Sequence, residues 1–140
     1  MKKTLIITLF FVTSIVKAQT ITIEFTNIRS SKGQLLLGVY DNGEDYKEKI
    51  AIKKQTVYKV NLKEGKLTTT ITGLKPGTYG IALLDDEDYD RKMAFRFFLP
   101  NEGFAFSDYY HSGITRPVFE DFKFVLGNED KTIVMKLRYL

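Results

Sequence analysis

Apolar and polar residues alternate one by one through most of this chain, which is the period of a strand half sunk in a core. In residues 20–28, Ile21, Ile23 and Phe25 fall on one face and Thr22, Glu24 and Thr26 on the other. Ser30-Ser31-Lys32-Gly33 is turn chemistry, with Gly33 able to take a positive φ. Residues 34–41 then turn Leu35, Leu37 and Val39 inward, so the first two strands are expected to form a hairpin. Residues 41–54 are polar and mixed, with weak support for a helical turn through Tyr46 and Ile50. Residues 56–62 alternate again, and Lys63-Glu64-Gly65-Lys66 is expected to turn them back as a hairpin into residues 67–71. The threonines at 68–70 favour strand through their β-branching.

Leu74-Lys75-Pro76-Gly77-Thr78 reads as a type II turn, Pro76 presetting φ and Gly77 taking the left-handed position. The strand after it carries Tyr79, Ile81 and Leu83 on one face, while Ala82 and Leu84 make the other face apolar too, which suits a central strand. Residues 93–99 are expected to be extended, and the aromatic segment 104–110 to lie partly under a loop. Residues 118–126 read as a strand with Phe122, Phe124 and Leu126 on one face. Gly127-Asn128-Glu129-Asp130 is expected to close a last hairpin into residues 131–140, with Ile133, Met135, Leu137 and Tyr139 inward. Some seven or eight antiparallel strands and no convincing helix predict an all-β fold, an immunoglobulin-like or prealbumin-like β-sandwich. A membrane β-barrel fits the strand count but needs an apolar outer band. The second face of these strands is charged or threonine-rich, and the last residue is Leu140 rather than an aromatic.

The first eighteen residues have a different pattern. Lys2 and Lys3 precede a mostly apolar run from Thr4 to Val16, and Val16-Lys17-Ala18 ends on a small residue. This is the pattern of a signal peptide cleaved after Ala18, leaving 19–140 as a single domain. The run is short of the roughly 20 apolar residues of a membrane helix, and no other long apolar segment follows, so no transmembrane segment is expected in the mature chain. Loss of Lys2, Lys3 and Lys17 lowers the basic residues from 21 to 18 against 17 acidic, and the formal charge from +4 to +1. A chain so balanced gives no support for nucleic-acid binding. With no cysteine, an exported domain must be held by packing alone, and thiol catalysis, a cysteine zinc site and a lipidated cysteine are excluded.

Asp85, Asp86, Glu87, Asp88 and Asp90 form the densest acidic cluster in the chain. Oxygen ligands at alternate positions, as in Asp86, Asp88 and Asp90, are what Ca2+ takes, and Asp85 completes the candidate set. Against an EF-hand, Arg91 stands at the required glycine and Phe97 at the twelfth-position glutamate. The other reading is a solvated hairpin tip balanced by Arg91, Lys92 and Arg96. His111 is the only histidine, so it belongs to no multi-histidine metal site. Ser107 or Ser112 with Asp108 and His111 is a conceivable nucleophilic set without a nucleophile-elbow motif, and a surface histidine is the simpler reading. Glu120 and Asp121, as neighbours in a strand, would face opposite ways and make a poor glycosidase pair. Phe95, Phe97, Phe98, Phe104, Phe106, Tyr109 and Tyr110 could line a binding groove, although phenylalanines in a sandwich are more often core. Tyr109, Tyr110 and His111 are the aromatic candidates for an exposed binding surface.

The early strand with Gly33-Gln34, the Leu74-Lys75-Pro76-Gly77-Thr78-Tyr79 turn, Pro100-Asn101-Glu102-Gly103-Phe104-Ala105-Phe106-Ser107 and Pro117-Val118-Phe119-Glu120-Asp121 together resemble DUF2141, a family of small exported bacterial proteins. The resemblance covers nearly all of the mature chain and implies a sandwich in the envelope or secreted fraction, but no activity. Its loop after the Thr-Tyr strand commonly reads His-Asp-Glu-Asn-Gly-Asn-Gly-Lys. Here Asp85 takes the histidine's place, and Tyr89 and Arg91 the places of the two glycines. The functional expectation is a non-enzymatic module binding an envelope protein or glycan through residues 85–112, with Ca2+ ordering those loops. The alternatives are an envelope hydrolase using Asp or Glu acid/base chemistry and a structural subunit docking by edge-strand pairing.

Overall fold

The computed structural model of the chain describes residues 18–93, 95–96 and 99–140, with the backbone alone at 95, 96 and 99. Residues 1–17, on which most of the expected signal peptide falls, and the side chains of Phe95, Arg96, Phe97 and Phe98 therefore lie outside the described residues. Strands β1 (Thr20–Thr26), β2 (Gln34–Tyr40), β3 (Lys53–Tyr58), β4 (Leu67–Thr72) and β5 (Gly77–Asp86) are followed by two-residue β6 (Phe95–Arg96) and β7 (Leu99–Pro100). Then come β8 (Gly103–Phe106), β9 (Phe124–Leu126) and β10 (Lys131–Lys136). One sheet has the order β10-β1-β4 and the other β3-β2-β5-β8, with β9 also paired to β5. Among the described residues, β6 and β7 pair only with each other.

The alternating rows behave as the sequence expects. Ile21, Ile23 and Phe25 of β1, Leu35, Leu37 and Val39 of β2, and Ile133 and Met135 of β10 are all buried in one cluster between the sheets. Ile81 and Leu83 of β5 join them. Each such side chain contributes about 1.5–3 kcal/mol by leaving water. The fold is therefore a β-sandwich, with β5 central as its two apolar faces required. One pair, β1 with β10, runs parallel rather than antiparallel.

The expected hairpins do not form. β1 pairs with β10 and β4, β2 with β3 and β5, and β9 with β5 rather than β10. The turns themselves are real, since Gly33 and Gly65 hold φ of +75° and +71°. Turn chemistry reverses the chain without choosing a sheet, and at 27–33, 59–66 and 127–130 the reversal passes from one sheet to the other. Gly77 has no positive φ, and Gly73, at +81°, takes the left-handed position before that strand instead. The Tyr79 hydroxyl donates to the Lys75 carbonyl at 2.8 Å, closing that turn as a tyrosine corner does.

Two short helices are present where none was convincing. α1 (Gly43–Glu48) is capped by Asn42, whose side chain accepts from the Asp45 N–H at 2.8 Å. It buries Tyr46, while Ile50 lies beyond its end and is exposed. α2 (Phe119–Phe122) replaces the first half of the strand expected at 118–126 and buries Phe119 and Phe122. These rings pack with Tyr40, Tyr46, Phe104 and Phe106 in a second cluster on the outer face of the larger sheet.

Gly33 sets how closely the β1–β2 turn lies against the end of β5. A Cβ there would stand 2.0 Å from the Asp86 carbonyl oxygen and 2.4 Å from the Glu87 Cα, on a backbone already at positive φ. Gly33→Ala is expected to destabilise by about 2 kcal/mol or more in urea unfolding. Gly127→Ala, where a Cβ meets nothing within 4 Å, is expected to change stability by less than about 0.5 kcal/mol.

Candidate functional site

β5 delivers two adjacent aspartates to opposite sides of its sheet. Successive strand residues face opposite ways, so Asp85 continues the inward row of Ile81 and Leu83, and Asp86 the outward row of Ala82 and Leu84. Both carboxyls are fully buried at the strand's end, not in the loop where the sequence placed them.

Asp85 is ion-paired with Lys59, whose ammonium also donates to the carbonyls of Ser30 at 3.0 Å and Lys32 at 2.7 Å. Two carbonyl acceptors and a facing carboxylate are what make this lysine tolerable inside, although the paired Asp85 Oδ1 itself accepts no hydrogen bond. The Tyr139 hydroxyl donates to Asp85 Oδ2 at 2.7 Å and accepts from the Arg29 N–H at 3.1 Å. Burial raises the Asp85 carboxyl above its ordinary value, against the opposing pull of Lys59 and Tyr139. Burial also pushes the Tyr139 phenol far above its usual range. Arg29 lies over the Tyr139 ring and forks onto Glu87 at 2.9 and 3.0 Å, which holds Glu87 below the usual carboxylate range.

Asp86 has a different environment. Its Oδ2 accepts from Gln34 Nε2 at 2.8 Å and from the Arg91 N–H at 3.3 Å, while its buried Oδ1 has no hydrogen-bond partner. Carboxylate oxygens of Asp86, Asp88 and Glu102 lie within 4.8 Å of one another. Ca2+ holds oxygens at 2.3–2.6 Å, so ligand oxygens on opposite sides of one ion stand about 5 Å apart, and this group has the spacing for one. The loop is bent back by Tyr89 and Arg91, which hold left-handed φ of +64° and +61° although neither is a glycine. Asp88 and Asp90 each accept the N–H two residues on, at 3.1 and 2.6 Å.

Of the four expected ligands, then, Asp86 and Asp88 come together, Asp85 is spent on Lys59, and Asp90 serves the turn. Glu102 was missed. It is buried just before β8 and accepts from the Glu87 N–H at 3.1 Å. Its signal was the Pro100-Asn101-Glu102-Gly103 motif, where an acid sits beside a glycine that must be small: a Cβ on Gly103 would meet the Tyr139 ring at 2.3 Å.

The aromatic candidates separate as well. Tyr110 is exposed beside Lys136, Tyr109 packs against the second cluster, and His111 lies between Phe106 and Tyr109. His111 Nε2 meets the Thr115 carbonyl, which requires the proton on Nε2 and leaves the buried Nδ1 without a partner. Ser107 is buried and tied to the Ile81 N–H and the Phe122 carbonyl, and Asp108 accepts from the Val134 N–H, so Ser107, Asp108 and His111 do not form a Ser-His-Asp set. Glu120 and Asp121 lie on α2, not on a strand; Glu120 pairs with Lys123, and Asp121 accepts from the Val118 N–H at 3.1 Å.

Beside this corner, the outer face of the larger sheet opens into a cleft of about 910 Å³. Leu36, Tyr40, Ala82, Leu84, Phe104 and Phe106 are among its lining residues, and His111 and Arg116 face it from the loop after β8.

Fold and corner together define a cysteine-free β-sandwich with a half-buried carboxylate cluster at one end of its central strand. Residues 23–134 match the family described as "Uncharacterized protein conserved in bacteria (DUF2141)", and the chain belongs to that family. A search of curated proteins and a search of solved structures each gave no match. No described helix is long and apolar enough to cross a membrane.

Removing the Lys59 charge tests the inner half of the corner. Lys59→Met strands Asp85 in a buried site, and is expected to cost about 3–5 kcal/mol at neutral pH. A raised carboxyl holds its proton in the folded chain at a pH where the unfolded chain, near 3.8, has lost it, so lowering the pH relieves the penalty. Without Lys59 the carboxyl rises further. Urea melts should therefore show the cost of Lys59→Met shrinking as the pH is lowered from 7 towards 5.

Proposed function

We propose that this protein is a non-enzymatic β-sandwich binding module of the cell envelope or secreted fraction. In this reading its acidic corner takes Ca2+, and the loops at 85–112 meet a protein or glycan partner. The observation that carries the calcium reading is the buried Asp86 carboxylate, whose Oδ1 has no hydrogen-bond partner and which lies with the carboxylates of Asp88 and Glu102, oxygens within 4.8 Å of one another. A buried carboxylate oxygen left without a partner is costly, and a cation bound there removes that cost. Such an ion would tie the bent loop and the start of β8 to the end of β5. Export is supported by Lys2, Lys3, the apolar run and the small residue at Ala18.

A hydrolase would need a concave site in which carboxylates converge and one holds a raised pKa. The carboxyl that burial raises is Asp85, and it is sealed behind Lys59 and Tyr139. The cleft has no Asp or Glu among its described lining residues. Both facts favour binding over hydrolysis. Edge-strand docking is disfavoured on one side, because Asp108 already occupies the outer edge of β10 through the Val134 carbonyl and N–H, at 3.0 and 2.8 Å.

Thermal melts of the purified protein in EDTA, then in millimolar CaCl2, test the calcium reading. Binding to the native state alone is worth about 2.7 kcal/mol at a hundredfold excess over Kd, so calcium should raise the melt by several degrees. Asp86→Asn with Asp88→Asn should abolish the rise; an unchanged wild-type melt would overturn the calcium reading. Intact mass of the secreted protein checks export separately and should correspond to residues 19–140.

A further inference from the structure

The outer face of a sandwich sheet is ordinarily polar, because it meets water. Here β2, β5 and β8 carry Leu36, Tyr40, Ala82, Leu84, Phe104 and Phe106 on that face. α1 and α2 cover one part of it with Tyr46, Phe119 and Phe122. The rest is the floor of the cleft, where Leu36, Ala82 and Leu84 remain only half-buried. Its volume falls within the 300–1,000 Å³ of small-molecule sites.

The charged side chains around this floor are all of one sign. Lys49 at the end of α1, Lys54 on β3, Arg91 and Lys92 after β5, and Arg116 all line it, and no described Asp or Glu does. Basic and acidic residues are nearly equal in number once the leader is set aside, so the segregation is local and does not follow from composition. Arg116 is held in place by the Tyr46 carbonyl at 2.6 Å and by stacking on the Tyr46 ring. Lys49, Lys54, Arg91 and Lys92 form no salt bridge among the described residues. Two buried polar atoms without partners, Tyr46 Oη and His111 Nδ1, belong to lining residues as well.

We propose that this cleft binds a small amphipathic carboxylic acid of the fatty-acid class. Its apolar body would lie on Leu36, Leu84 and Phe104, with its carboxylate among the lysines and arginines. An apolar floor supplies the burial, and cations converging from four separate segments select the sign of the headgroup. The proposal gives the binding module a ligand class but does not depend on the calcium site, because Asp86, Asp88 and Glu102 are not among the lining residues.

Isothermal titration calorimetry with dodecanoate, kept below its micelle concentration, tests this on the purified protein in EDTA. One dodecanoate per chain is expected, with dodecanol at least tenfold weaker and dodecyltrimethylammonium not bound. Lys54→Glu with Lys92→Glu, both exposed, should weaken dodecanoate at least tenfold while leaving the calcium-induced rise in melting temperature intact. Leu84→Asp should abolish binding. The proposal is overturned if dodecanoate does not bind, if all three amphiphiles bind alike, or if the double lysine variant binds as wild type. It is also overturned if the protein binds anionic phosphatidylglycerol vesicles but no monomeric dodecanoate, which would make the cleft a membrane-facing surface. Failure of the unmodified protein to bind dodecanoate, with its calcium-induced rise in melting temperature kept, would count against this cleft alone.

Discussion

One buried ion pair fixes the end of this sandwich from which the acidic loop departs. Lys59 sits between the β1–β2 turn and the last inward residue of β5, and its ammonium reaches Ser30, Lys32 and Asp85. Taking two charges out of water is expensive, so the pair depends on the two carbonyls that also meet the ammonium and on the hydroxyl that also meets the carboxylate. Tyr139, near the C-terminus, donates a hydrogen bond to Asp85 and packs against Gly103. Arg29 then closes over Tyr139 and reaches Glu87 and Asn101. Segments distant in sequence, from β1 to the C-terminus, are thereby locked around one carboxyl.

That lock gives the neighbouring aspartate its role. With Asp85 turned inward, the strand period obliges Asp86 to turn outward, where Gln34 and the Arg91 N–H satisfy only one of its oxygens. The inner acid is structural and the outer one is left with coordinating capacity. A cation at Asp86 would therefore act on a rigid support, and the parts it would order are the loop bearing Asp88 and the start of β8 at Glu102. The cleft on the same outer face is separate from this corner in its lining and opposite in charge.

The strands were legible because their signal is local. Alternation in β1, β2, β5 and β10 placed Ile21, Leu35, Ile81 and Ile133 correctly, and the two apolar faces of β5 marked it as central. Pairing was not legible: Gly33 and Gly65 announce turns, but which sheet receives the next strand depends on packing across the whole domain. α2 was hidden because a four-residue helix inside Val118-Phe119-Glu120-Asp121-Phe122 leaves no helical period to read. Lys59 was passed over because a lysine in an alternating stretch reads as outward-facing, and only the fold shows three acceptors gathered around it. The acidic cluster was visible as composition, but its division between Asp85, Asp86 and the loop follows from where β5 ends. Glu102 came into view as a motif residue, and its closeness to Asp86 is a tertiary fact.

The central claim is this division between a closed carboxylate and an open one, and carboxyl-carbon NMR reads both at once. Aspartate-labelled protein would be titrated with Ca2+, the side-chain carbonyl signals of Asp85 and Asp86 being assigned by Asp→Asn variants. The division predicts that the Asp86 and Asp88 signals move with calcium while Asp85 stays still. A titration that moves Asp85 together with Asp86, or leaves Asp86 unmoved at millimolar calcium, would contradict it.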